Sequence, residues 1–378
     1  MISSTSPMLA RTAGSGRFAA MSESTMMPAA PTSTDHVRLS RQDRAGRITL
    51  TRASSINALT HAMITTISAA LSAWAGDQTI ECVIIDAEGP RGFCAGGDIK
   101  AVSISALSDG GAGARALWWD EYRMNEQLSA YPKPVLSLLH GVTFGGGVGL
   151  GCHASPRVVT GSTLMAMPET IIGLVPDVGG LWLLSRPGHG ELGTHLALTG
   201  LPVGPADAIH LGLADVHTPF EVFTELAAAT SWQHAQDILA EHATAPEAGT
   251  LDGDREWIER CYTGDDVAAI IERLQQDPHP NAAATAEVLL TRCPTALQIT
   301  LTAIRRTAGH EDLRQSLIQD YQVMSHSLER QDVREGIRAQ VIDKDRKPRW
   351  NPAHVRDVDA AVVTHAFTPA PGGDLTFG

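Results

Sequence analysis

The sequence predicts an α/β fold, and three features predict it. Compact apolar runs such as ECVIIDAEG and PVLSLL have the length and β-branched content of buried strands. Each passes at once into a glycine-rich turn and then a helical stretch, RGFCAGGDIK after the first and HGVTFGGGVGLGC after the second. From about residue 221 the strand signal ends, and Ala, Leu, Glu, Gln and Arg dominate to about residue 340. Strand, turn and helix recurring through 47–220 mean repeated right-handed crossovers between strands. The remainder means a mainly helical region.

Taken in order, the fold is expected to begin near Val37, with 1–36 a disordered leader or an extension from an upstream start. Residues 47–50 read as a short strand and 57–74 as a helix. Residues 82–86 are a buried strand, and the glycine turn after it opens a helix. The stretch SISALSDGGAGARA is small and polar and reads as a mobile loop; 117–128 is helical. A second buried strand, 134–139, ends at His140–Gly141. The small residues after it permit close backbone packing. Residues 157–160 and 164–167 are short strands, followed by the loop PETIIGLVPDVGG. A helical stretch over 181–198 is broken at Pro187–Gly188. Further helices are expected over 254–260, 265–275, 282–290, 296–307 and 313–329, with a junction near 241–254. The resulting division is a core over 37–220, a helical region over 221–355 and a tail over 356–378.

The formal net charge of −13 argues against non-specific nucleic-acid binding but not against an anionic ligand held by local cations or helix N-termini. Five cysteines, at 82, 94, 152, 261 and 293, form no C-x-x-C pair. They read as reduced, mostly buried thiols rather than a disulfide frame or zinc site, so a cytoplasmic location is expected. No apolar run approaches the ~20 residues that cross a bilayer, so no membrane partner is expected. The first 30 residues combine Ser, Thr, Ala and Met with Arg11 and Arg17, a composition that transit peptides and disordered leaders share.

The common nucleotide and hydrolase signatures do not fit: FCAGGDIK lacks the G-x-G-x-x-G order of a dinucleotide site, and there is no G-x-x-x-x-G-K-[ST] phosphate loop, G-x-S-x-G or H-E-x-x-H. What remains is two glycine turns, at Gly96–Gly97 and Gly145–Gly146–Gly147, after two separate strands. Two readings stand. The glycines permit tight packing, or, if the strands are neighbours, one N–H from each turn converges on a single oxygen as an oxyanion hole. The loop MPETIIGLVPDVGG adds Glu169 and Asp177, eight residues apart, which no single helical face can present because Pro168, Gly173 and Pro176 intervene. Two carboxylates beside an oxyanion hole suit acid–base or nucleophilic chemistry; alone, either is as well read as a cap or a surface group.

These motifs resemble the enoyl-CoA hydratase/isomerase (crotonase) superfamily, in the oxyanion segment RGFCAGGDIK and the second element HGVTFGGGVGLGC. AMPETIIGLVPDVGG, LALTG and EGIRAQVIDKDRKPRWNP resemble, more narrowly, its 3-hydroxyisobutyryl-CoA hydrolase family, from about residue 37 to 355. The resemblance implies a spiral of ββα units with a helical C-terminal region. It implies hydrolysis of a 3-hydroxyacyl-CoA thioester to the hydroxy acid and free CoA, in valine breakdown. The carry-over makes the Gly97 and Gly146 N–H groups the oxyanion donors, Glu169 a nucleophile or a general base, and Asp177 the acid–base group. It places Glu121 at the substrate 3-hydroxyl and Lys100 near the CoA phosphates. No metal or redox cofactor is implied, since CoA arrives within the substrate, and a homo-oligomer is left open. The chain departs from the hydratase pattern at one point: the second hydratase glutamate would fall at Gly149. A hydratase, or a hydrolase of another short acyl-CoA, are the alternatives.

Overall fold

A computed structural model describes residues 32–377, so the leader expected over 1–36 lies outside the described residues except at its end. Strands β1 (Val37–Gln42) and β2 (Ala45–Leu50) form an antiparallel hairpin. From β2 onward the sheet is parallel, running through β3 (Cys82–Ala87), β4 (Val135–Leu139), β6 (Arg157–Val159) and β8 (Val216–His217). β5 (Val142–Phe144) and β7 (Leu164–Ala166) pair in a second, parallel sheet. β1 was not read from the sequence. It is an edge strand of alternating burial that carries two arginines, so it lacks the continuous apolar run of β3 and β4.

The core helices are α1 (His61–Gly76), α2 (Ile99–Ser108), α3 (Ala112–Ser129), α4 (Gly146–Cys152), α5 (Gly180–Leu184), α6 (Leu192–Thr199) and α7 (Pro205–His210). α1 starts where the Thr60 hydroxyl accepts the Met63 N–H at 3.2 Å, and it buries Met63, Ile64, Ile67, Leu71 and Trp74 at helical spacing. Trp74 lies flat against β2; a side chain on Gly46 would begin 2.7 Å from its ring.

The stretch expected to be a mobile loop is instead the end of α2 and the start of α3. Its small polar residues are cap chemistry. Asp98 caps α2, and Asp109 accepts the Ser105 hydroxyl at 2.6 Å and the Gly113 N–H at 3.2 Å. Gly110 and Gly111, both at positive φ, turn the chain between the helices.

The helical region comprises α8 (Val222–Ala227), α9 (Trp232–His242), α10 (Leu251–Cys261), α11 (Val267–Gln276), α12 (Pro280–Thr291), α13 (Pro294–Thr307), α14 (Leu313–Ser327) and α15 (Gln331–Ile337). It braces the segment that follows β7. The Cys293 N–H donates to the Thr170 carbonyl at 3.2 Å, and the Thr170 hydroxyl donates to the Leu198 carbonyl at 3.1 Å. α15 presses on the same segment, for a side chain on Gly336 would run into the Ile172 backbone. Residues 356–378, read as a tail, include α16 (Ala360–His365) and bury Ala366, Ala370 and Leu375. The Arg123 guanidinium of α3 donates to the Thr376 carbonyl at 2.6 Å, and the Gln322 amide of α14 donates to Asp374 at 3.0 Å.

Gly336→Ala is therefore expected to destabilise the fold. Overpacking against Ile172 costs about 1–3 kcal/mol, more than the roughly 0.5–1 kcal/mol gained by replacing a helical glycine. Urea denaturation reads the difference, and a raised midpoint would mean that α15 does not press on this segment.

Candidate active site

The two glycine turns are neighbours. The Phe93 and Cys94 N–H groups donate to the carbonyls of His140 and Val142, at 2.8 and 3.0 Å. The Phe144 N–H returns to the Cys94 carbonyl at 2.9 Å. This places the Gly97 nitrogen 3.2 Å from where a side chain on Gly146 would begin. Among the described residues neither the Gly97 nor the Gly146 N–H has a protein acceptor. The two readings of the glycines are compatible. A side chain on Gly147 would strike the Cys94 carbonyl, so packing demands glycine there, and that packing brings the free N–H groups together.

Three carboxylates close over this point. Glu169 sits in the 3₁₀ turn Glu169–Ile172 after β7, Asp177 lies five residues beyond that turn, and Glu121 projects from α3. All are buried, at 8%, 6% and 3% exposure. A side chain on Gly145 would begin 2.6 Å from Glu169 Oε1, and one on Gly146 2.7 Å from Glu121 Oε1. Gly97, Gly146, Glu121, Glu169 and Asp177 line one cavity of about 160 Å³, walled by Trp118, Ile172, Leu174 and Met324. A larger groove of about 760 Å³ around Asp207 and Trp257 contains none of them. Lys100 lies in the first turn of α2, exposed and outside the cavity lining.

Burial in this small apolar space opposes ionisation. It holds Glu169 well above the ordinary carboxylate range, and the Asp177 charge adds to the effect. Burial, then Asp177, pushes Glu121 up to about 8. Asp177 rises only to about 6, because the Tyr122 hydroxyl donates to its Oδ2 at 2.6 Å and opposes the effect of burial. As pH rises Asp177 ionises first, and Glu169 and Asp177 share one proton over the range that follows. Glu169 Oε2 is buried without a hydrogen-bond partner, which leaves one oxygen of this carboxyl uncommitted.

Comparison with known proteins gives the family. The enoyl-CoA hydratase/isomerase family model matches residues 45–367. The chain belongs to this family. Among curated relatives, the mouse protein named 3-hydroxyisobutyryl-CoA hydrolase, mitochondrial, is 36% identical, with 90% of this chain and 91% of the relative covered. The human protein of the same name is 34% identical, with 91% of each chain covered. Among solved structures, one described as a carnitinyl-CoA dehydratase from Mycobacterium thermoresistibile superposes with a TM-score of 0.86 at 44% identity, covering 91% of this chain and 99% of that one. One described as an enoyl-CoA hydratase from Rhodobacter sphaeroides 2.4.1 gives 0.84 at 42%, covering 90% and 100%. The fold is that of the crotonases, as the sequence motifs implied.

Gly149 is the position at which the motif resemblance would put a second hydratase glutamate. A side chain there would begin 2.6 Å from the Val178 Cβ and 3.1 Å from the Asn125 amide nitrogen. The space for a second glutamate is filled. Val178 reaches it from a left-handed backbone conformation, φ 52°, which a β-branched residue adopts only when its surroundings impose it. Three bonds impose it here. The Gly180 N–H closes onto the Asp177 carbonyl at 2.7 Å, His153 Nε2 meets the Val178 carbonyl at 2.7 Å, and the Gly179 N–H donates to Asp320 Oδ2 at 2.8 Å. Burial holds His153 down at about 4, so its ring is neutral when it makes this contact.

Sequence reasoning missed Tyr122, His153 and Asp320. Tyr122 carried a signal, standing beside Glu121 on one helix. Asp320 carried none: it is one polar residue on α14, 141 positions from the amide it accepts.

A folded-state value near 8 for Glu121, against an ordinary value near 4.5, means that the folded protein keeps a proton the unfolded chain releases. The stability contributed by this neutral carboxyl is complete below pH 4.5 and is lost as pH rises to about 8. Glu121→Gln is expected to remove that loss. Its stability relative to the parent, read from thermal unfolding, should grow over this interval, by up to a few kcal/mol at ~1.4 kcal/mol per pKa unit. A difference that stays constant across the interval would show that Glu121 is ionised in the folded protein.

Proposed function

We propose that this protein hydrolyses short 3-hydroxyacyl-CoA thioesters, with 3-hydroxyisobutyryl-CoA as the preferred substrate. The observation that carries this reading is the pairing of two free N–H groups with Glu169 and Asp177, where a second hydratase glutamate has no room. The relatives' names support it, and the acyl-CoA family is common ground. The names of the two solved structures point instead to hydration or dehydration, and Gly149 weighs against that chemistry here.

The cavity of about 160 Å³ is smaller than the ~300–1,000 Å³ pockets that take drug-sized ligands, so it suits a short acyl group with CoA outside it. The thioester oxygen would sit between the Gly97 and Gly146 N–H groups, which stabilise negative charge as it develops; losing such a donor costs about 3–4 kcal/mol. The shared proton of the Glu169–Asp177 pair rests mainly on Glu169 in the free site, and the pair reacts once that proton has passed to Asp177. The Glu169 carboxylate attacks the carbonyl carbon, the C–S bond breaks, and Asp177 gives its proton to the departing thiolate. Asp177, now ionised, takes a proton from water as that water adds to the acyl–Glu169 anhydride. The hydroxy acid leaves, Glu169 is again a carboxylate, and the proton is back on Asp177. The Tyr122 hydroxyl assists the second half, where Asp177 must carry charge. The rival scheme, with Glu169 as the base for direct attack by water, uses the same groups. Neither scheme requires a metal or redox cofactor.

Glu121, neutral at physiological pH, is suited to a hydrogen bond with the substrate 3-hydroxyl. A site built around that bond disfavours an acyl group lacking it, because Glu121 is then left buried and unpaired. The five free, buried cysteines fit a reducing compartment. We place the protein in the cytoplasm on that ground, while the named relatives are mitochondrial. Among the described residues no helix is long and apolar enough to cross a membrane.

Thiol release should be fast with 3-hydroxyisobutyryl-CoA and 3-hydroxypropionyl-CoA and slow with isobutyryl-CoA, with little hydration of crotonyl-CoA. Glu169→Gln should abolish it. Efficient crotonyl-CoA hydration without thiol release would reassign the protein to the hydratases. Tyr122→Phe removes the bond that opposes the rise of the Asp177 pKa. The acidic limb of kcat/KM, expected near pH 6 from the Asp177 value, should then move to higher pH. An unmoved limb would exclude Asp177 as the group that sets it.

A further inference from the structure

His326, Glu329 and His365 lie outside the catalytic cavity, where α14 ends and α16 packs against it. Their ligand atoms all fall within 4.8 Å of one another. His326 Nδ1 is 3.3 Å from Glu329 Oε1, and His365 Nε2 is 3.2 Å from Glu329 Oε2. The carboxylate thus offers one oxygen to each ring, at spacings that an ion with metal–ligand bonds of about 2.1 Å can bridge.

The tautomer of His326 follows from its other nitrogen. Nε2 faces the Thr368 carbonyl at 3.3 Å, the Pro369 carbonyl at 3.2 Å and the Thr368 hydroxyl oxygen at 3.2 Å. That hydroxyl directs its own proton to the His365 carbonyl at 2.8 Å, so it meets His326 as an acceptor. Three acceptors around Nε2 place a proton there. Nδ1 of the neutral ring is then a lone pair, and it faces a carboxylate. Two lone pairs at 3.3 Å need a cation between them, either a proton or a metal ion. The His326 and His365 ring centroids stand 4.3 Å apart, and both rings meet the one carboxylate. A single divalent ion serves all three side chains.

We propose that His326, Glu329 and His365 form a binding site for a divalent transition-metal ion, with zinc as the fitting probe. The carbonyls behind His326 orient it as the outer partners of metal-bound histidines do. The half-exposed Glu329 and His365 side chains leave an entry path and a fourth position for water. The ion would clip the C-terminal segment to α14, the helix that carries Asp320 and supplies Met324 to the catalytic cavity. Its role is structural, and it takes no part in thioester chemistry.

The test uses the full chain, freed of metal with a chelator and titrated with Zn²⁺ by calorimetry and with Co²⁺ by visible absorption. One saturable equivalent is expected, with the intense d–d band of a four-coordinate Co²⁺ ion and a raised thermal midpoint. His365→Ala should abolish the equivalent and Glu329→Gln should weaken it by at least roughly tenfold. The exposed His354→Ala, away from the cluster, should retain it. Circular dichroism checks that each variant is folded. The absence of a saturable equivalent, its persistence in His365→Ala, or its loss in His354→Ala would overturn the proposal and leave an ion-pair network.

Discussion

Direct backbone contact between the chain after β3 and the chain after β4 is the constraint from which the site follows. Gly92, Gly141 and Gly147 each stand where a side chain would collide with the opposite backbone. With glycine at these positions the two segments hydrogen-bond as strands do, and their ends bring Gly97 and Gly146 side by side. Packing and catalysis are therefore not competing explanations of the glycine content. The close approach sets the two N–H groups side by side, as the proposed oxyanion hole needs, and the parallel order of β3 and β4 makes the approach possible.

The helical region supplies the other wall. α15 presses on the turn that carries Glu169, α14 reaches the turn after Asp177 through Asp320, and Met324 closes the cavity. A buried carboxylate held above its ordinary pKa weakens a fold at neutral pH, and here several are gathered in one place. The bonds on the backbone of residues 177–180 offset this cost by holding Asp177 and Val178 in a conformation that the local sequence disfavours. Val178 has a double role, for the strained turn that presents Asp177 also fills the space beside Gly149.

Much of the architecture was legible in the sequence because it rests on local signals. The apolar runs of β3 and β4 exceed any competing pattern, and the glycine turns after them are unmistakable. The errors have local causes too. The stretch after Lys100 reads as a loop because Ser, Asp and Gly favour caps and turns, and only the structure shows those residues at the junction of two helices. β1 was passed over because a half-exposed edge strand needs no continuous apolar run. The end of the chain looked like a tail because its few buried residues, Ala366, Ala370 and Leu375, are scattered among polar ones.

By itself the sequence determined the α/β class, the two glycine turns and the candidate carboxylates, and motif resemblance named a candidate oxyanion pair and the glycine at 149. These are properties of residue type and short spacing. Tertiary structure alone decided that Glu121, Glu169 and Asp177 share one cavity, that Tyr122 steadies Asp177, and that Asp320 holds the next turn from 141 residues away. It also decided the ionisation order of the carboxyls. That order depends on desolvation and on charges brought close by folding, and no spacing along the chain encodes either.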